Sequence, residues 1–122
     1  MDGQARLLYA TLQKAGWTKL LALEFVYFLT LGLAPDTDDA TIWRYAQANG
    51  MLILTNNRNS DGDTSLAATI ARENTATSLP VVTIGNLERM TESQYRDDVA
   101  LGLVGIILYL ENFLGTGRQF IP

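Results

Sequence analysis

The segment Met51-Leu52-Ile53-Leu54-Thr55 constrains this chain more than any other. It is a short apolar run, closed in front by Asn49-Gly50 and behind by the polar stretch from Asn56 to Thr64. A run this short is far below the length at which a helix holds by itself. A strand with one face in water would alternate apolar and polar residues, and this one does not. It therefore reads as a strand covered on both faces, as strands are in a parallel sheet packed between helices.

The flanking sequence supplies those helices. Leu7, Leu8, Thr11, Leu12 and Ala15 recur at three- and four-residue spacing, predicting an amphipathic helix over 4–15 that stops at Gly16. Residues 22–28, ending in Phe25-Val26-Tyr27-Phe28, carry the β-favouring residues of a buried strand, and residues 32–35 read as a loop. Asp36 or Asp38 caps the next helix, which carries Ile42, Trp43, Tyr45 and Ala46 and ends at Asn49-Gly50. A helix over 65–74, a strand over 80–84 and a long helix over 91–114, stopped by Gly115-Thr116-Gly117, complete the pattern. Helices alternating with short apolar strands predict an α/β fold: a three-layer α/β/α sandwich with a short parallel sheet containing 22–28, 51–55 and 80–84. At 122 residues this is a single domain, which buries roughly two-thirds of its unfolded surface and so holds a core without staples.

Composition narrows the chemistry. With no cysteine there is no disulfide, thiolate nucleophile or zinc-thiolate site, and with no histidine there is no Ser-His-Asp catalysis or imidazole metal site within this chain. Carboxylate, hydroxyl, amide, Lys and Arg chemistry remains, and the metals such oxygens suit are Mg²⁺ and Mn²⁺. A net charge of −4 excludes a long basic track along nucleic acid, so phosphate contact would need a local basic cluster or metal ions. The longest apolar stretch, Val99 to Leu110, falls short of the roughly 20 residues a bilayer requires. No basic-then-apolar leader precedes a cleavage site, so a cytoplasmic location without membrane contact is expected.

Sites in such sheets form at the carboxyl ends of strands. That directs attention to the loop Asn56-Asn57-Arg58-Asn59-Ser60-Asp61-Gly62-Asp63 and to Asp36, Asp38 and Asp39. Carboxylates there would hold a cation that activates water, although Asn, Asp, Ser and Gly are also ordinary turn residues and Asp an ordinary helix cap. The spacing of Asp61, Asp63 and Glu73 fails the EF-hand pattern. Arg58 and Arg44 suit a phosphate or a neighbouring carboxylate, and Trp43 and Tyr45 suit a core or interface better than a base-stacking platform.

The run Leu33-Ala34-Pro35-Asp36 to Asp39, then Ile42-Trp43-Arg44-Tyr45-Ala46-Gln47, then Met51 to Asn59, resembles PIN-like proteins of the Mut7-C and DUF5615 type, which share the VapC-like nuclease fold. Ser78 to Gly85 is similar to that family's next strand, and the likeness is best over residues 30–85. The resemblance implies a Mg²⁺- or Mn²⁺-dependent ribonuclease, often dimeric, with RNA as partner. It places Asp36, Asp39, Asn57, Arg58 and Asn59 at the catalytic positions and Asp61 and Asp63 as metal ligands. The family's acidic pair falls on Asn57 and Asn59, whose amides offer a neutral oxygen but neither charge nor a base. The family also opens on an Asp-bearing strand, whereas only Met1-Asp2-Gly3 precedes the first helix here, so the expectation is either that an upstream strand is missing or that the protein has dispensed with the metal site. Two readings follow: a ribonuclease relative with a degenerate site and weak metal affinity, or a non-catalytic module that associates through its apolar C-terminal helix. In that helix Val99, Leu101, Leu103, Val104, Ile106, Ile107, Leu108, Tyr109 and Leu110 fall on all sides, which predicts a homodimer.

Overall fold

The computed structural model describes residues 1–58 and 62–122 and, at Leu29, the backbone only. Asn59, Ser60 and Asp61, three of the loop residues considered above, lie outside the described residues.

Helix α1 (Asp2–Lys14) buries Ala5, Leu8 and Leu12, the inward stripe of its heptad pattern. Asp2 is the first residue of this helix and is exposed, so it ends no strand. A short α2 (Trp17–Leu20) and α3 (Phe28–Leu31) lead to α4 (Asp39–Ala48). The first strand of the sheet is β1 (Ile53–Thr55); α5 (Leu66–Glu73), β2 (Val81–Ile84), α6 (Ser93–Leu108) and β3 (Arg118–Ile121) follow. Among the described residues the strands form one all-parallel sheet in the order β1-β2-β3, with Ile53 opposite Val81 and Ile84 opposite Ile121. The parallel pairing expected of 51–55 and 80–84 is thus observed, with strand limits one or two residues shorter.

Three expectations need correction. Residues 22–28 are not a strand: Ala22 sits at φ 51°, residues 23–27 are irregular, and α3 begins at Phe28. The alternation there is genuine, with Leu23, Phe25 and Tyr27 half-buried and Glu24 and Val26 exposed. Its inward side chains lie against α1 rather than a strand: Phe25 meets Tyr9 edge-on at 4.9 Å, and Arg6 lies over the Tyr27 ring. The Tyr9 hydroxyl donates to the Leu23 carbonyl at 3.2 Å. β-favouring residues fit any half-buried surface, and here a helix provides it. Second, the span 91–114 is not one helix: α6 covers only Ser93–Leu108, a 3₁₀ turn over Leu110–Asn112 follows it, and a 3₁₀ turn over Leu87–Thr91 precedes it. Third, the chain beyond Gly115-Thr116-Gly117, for which the sequence predicts no element, forms the sheet's third strand, β3.

β2 is buried along its length, and its period of two divides the core. Val82 and Ile84 join Ile121 of β3 on the face covered by α1 and α6, where Leu8, Leu12, Met90, Tyr95, Val99, Leu103 and Val104 close the main core. Val81 faces the other way, into a second cluster with Trp43 of α4 and Leu66 of α5, packed by Ile53 and Ile70. Trp43 is therefore core. At about 1.5–3 kcal/mol for each large apolar side chain buried, both clusters hold the sheet between its helices. Both crossovers step the same way across the sheet yet lie on opposite faces, so they have opposite hands. Right-handed paths dominate parallel sheets, and nothing in the local sequence accounts for the departure.

Candidate functional site

The connection leaving β1 passes to the α4/α5 face, and the one leaving β2 passes to the α1/α6 face. Where the connections from adjacent parallel strands diverge, their carboxyl ends bound a crevice, the usual ligand position in open α/β sheets. Thr55, Asn57 and Arg58 stand on one side of it, and Thr83 and Gly85 on the other.

Asp39 reaches the crevice from the first turn of α4. Its Oδ2 accepts the Asn57 side-chain amide at 2.9 Å and the Leu66 backbone N–H, at the start of α5, at 3.2 Å. One carboxylate thus ties the helix before β1, the loop after it and the next helix together. Thr55 Oγ1 accepts the Asn57 N–H at 3.0 Å, turning the chain sharply out of β1. A cavity of about 110 Å³ lies beneath, lined by Asp39, Ile42, Thr55, Asn57 and Leu66 among others.

Arg118 begins β3 and runs along the α4/α5 face of the sheet towards its carboxyl end. Its Nη1 donates to Thr83 Oγ1 at 2.7 Å and to the Asn57 carbonyl at 2.8 Å, while its Nη2 is buried with no hydrogen-bond partner among the described residues. Arg58 donates to the Gly85 carbonyl and lies over the Phe120 ring, its guanidinium carbon 5.3 Å from the centroid. Burial, and then the charge of Arg58, push Arg118 below the usual arginine range; Asp39 acts in the opposite direction. The two guanidinium groups therefore sense each other across the crevice. Gly85 is held close to the chain end, since a Cβ there would lie 2.5 Å from the Pro122 carbonyl oxygen.

The structure thus brings together Asp39, Asn57 and Arg58 and leaves Asp36 and Asp63 apart. Asp36 is exposed in the turn before α4, and Asp38 is the residue that caps that helix, accepting the Thr41 N–H at 2.7 Å. Asp63 is exposed and is engaged through its backbone carbonyl, which accepts from Arg72 at 3.0 Å. Asn59 and Asp61 lie outside the described residues. Arg44 is spent on Glu73, gripping both carboxylate oxygens, and does not face the crevice residues. Sequence reasoning missed Arg118, Thr83 and Phe120. The signal that locates them is strand register: Thr83 pairs with Phe120, and Arg118 shares their face of the sheet two residues earlier.

The chain matches no family model, no curated protein and no solved structure in comparison with each. The donor set must therefore be judged by its own chemistry. Among the described residues no group of three carboxylates converges. Asp39, the one carboxylate in the crevice among the described residues, spends an oxygen on two N–H donors, and two guanidinium groups stand nearby. Hard divalent cations want several anionic or neutral oxygens and are repelled by fixed positive charge. With Asp61 outside the described residues, the remaining donors offer a hard divalent cation few oxygens and bring two fixed positive charges beside it.

Proposed function

We propose that this chain is a PIN-like domain related to metal-dependent ribonucleases, whose strand-end crevice faces RNA without hydrolysing it. Support comes from the substitution of charge at the site. Asn57 stands at the position the resemblance makes acidic, and the structure gives its amide to Asp39 and its carbonyl to Arg118. An amide supplies neither the charge that concentrates a cation nor a base for water. The test is incubation of the chain with single-stranded RNA in Mn²⁺ or Mg²⁺, with and without chelator. No chelator-sensitive cleavage is expected, and robust cleavage would refute the reading.

A second reading, self-association, draws on α6. Its inward residues Val99, Leu103, Val104 and Ile106 are buried, but Leu101 is 60% exposed, Leu108 48% and Tyr109 58%. These three make an apolar stripe where a soluble helix normally carries polar residues. A symmetric dimer would cover identical stripes on identical chains. Because Ile106 faces the core, Leu101→Glu is the informative variant. Light scattering should give a dimer mass for the parent and a monomer mass for the variant; a parent monomer would sink this reading.

A further inference from the structure

We propose that Arg58, Arg118 and Phe120 form a binding site for one nucleotide of single-stranded RNA, the two guanidinium groups holding its phosphate and the ring stacking its base. The choice of RNA as ligand rests on the reading of the crevice given above; the anion site rests on the following observations alone.

The first is charge without a counter-charge. Among the described residues three arginines meet carboxylates, Arg44 and Arg72 sharing Glu73 at 2.6 and 3.6 Å and Arg89 meeting Glu92 at 3.2 Å, while Arg6 lies over a tyrosine ring and Arg96 donates to a backbone carbonyl, each apart from any other arginine's partners. Arg58 and Arg118 have neutral partners instead, two backbone carbonyls and a threonine hydroxyl. Asp39 is the nearby carboxylate, and its Oδ2 already accepts two N–H groups. Holding two like charges together costs free energy that an anion between them would recover. The second is geometry. The planar forks of two arginines match the oxygens of a phosphate, and the buried Arg118 Nη2 has no acceptor among the described residues. The third is the ring. Phe120 is 54% exposed at the carboxyl end of an edge strand, beside Arg58, where an aromatic face and a cation together serve a base and its phosphate. The net charge of −4 confines the contact to this spot, so the site takes one nucleotide and not a track of them.

The experiment is titration of the full chain with inorganic phosphate and, by fluorescence anisotropy, with a short labelled oligouridylate. The oligonucleotide should bind with a log–log salt slope between about −0.7 and −1.4, as for one or two phosphates on a single strand. Arg58→Gln, an exposed change, should weaken both ligands about tenfold or more. Phe120→Ala should weaken the oligonucleotide and leave phosphate unchanged. Arg118→Lys keeps the charge but loses the fork, and should weaken both ligands; circular dichroism checks its fold, and Arg58→Gln decides the matter if it fails to fold. Affinity for both ligands unchanged in Arg58→Gln, or binding of neither ligand, would overturn the site. Binding of phosphate without the oligonucleotide would overturn its assignment to RNA. Cleavage in the chelator assay bears on the preceding proposal and leaves this one to be judged by binding.

Discussion

Changing Asn57 to Asp replaces an amide donor 2.9 Å from Asp39 Oδ2 with a second carboxylate. The hydrogen bond to a charged acceptor is lost, at a cost of about 1.5–3 kcal/mol. Two carboxylates whose charge centres lie about 4 Å apart repel by about 4 kcal/mol at an effective dielectric near 20. Keeping the introduced carboxyl protonated instead costs about 1.4 kcal/mol for each pH unit above its ordinary value, about 4 kcal/mol at pH 7. The two routes cost about the same at neutral pH, and only protonation becomes cheap near pH 4. The folded protein then holds a proton that the unfolded chain releases, so stability falls as pH rises. Relative to the parent, Asn57→Asp should therefore lose about 2–3 kcal/mol more at pH 7 than at pH 4.5, allowing for screening at a half-buried site. Urea denaturation at the two pH values reads this directly. Combining Asp39→Asn with Asn57→Asp restores one amide facing one carboxylate, and leaves an oxygen for the Leu66 N–H. That swap should recover most of the loss and remove its pH dependence. Mn²⁺ should raise the melting temperature of Asn57→Asp, because two adjacent carboxylates begin a cation site. A loss of equal size at both pH values, or a swap that fails to rescue, would refute the arrangement of Asp39 and Asn57 described here.

Further consequences are testable by the same denaturation assay. The Gln47 side chain clamps the Leu79 backbone from both sides, donating to its carbonyl and accepting its N–H at 2.9 Å each, so Gln47→Ala should cost about 1–3 kcal/mol. Met90, fully buried beneath α1 and α6, should cost about 2–5 kcal/mol on truncation to Ala. Gly102→Ala sets a helix gain of about 1 kcal/mol against a Cβ only 2.8 Å from Ile121 Cγ2. Overpacking of about 1–3 kcal/mol should win, and a stabilised variant would contradict that contact. Among the described residues two carboxyls lie below their ordinary values: Asp38, held down by the Thr41 hydroxyl and then the Thr41 N–H, and Glu73, by Arg44. Their contribution is complete above the ordinary values of 3.8 and 4.5 and is lost as pH falls through the lowered folded ones. Asp38→Asn and Glu73→Gln should therefore each flatten the acid limb of the stability curve.

The sequence by itself determined the parallel sheet and the helices around it. The unalternating run Ile53-Leu54 can be satisfied only by apolar cover on both faces, and the structure supplies that cover from two separate clusters. It likewise determined the caps, because Asp38 and Ser65 offer their oxygens to N–H groups three residues ahead, a local matter of chain geometry. The tertiary structure decided what distant partners decide. Residues 23–27 have a strand's alternation, yet α1 presents the apolar surface first, and the sheet takes its third strand from Arg118–Ile121 instead. That last strand has little apolar signal because it lies on an edge, with only Ile121 fully buried. The site divides in the same way. Asn57 and Arg58 were legible because they follow an obvious strand, but Arg118 is 61 residues from the carbonyl it contacts. No pattern along the chain expresses a pairing at that separation; the register of three parallel strands creates it, and with it the positive charge that distinguishes this crevice.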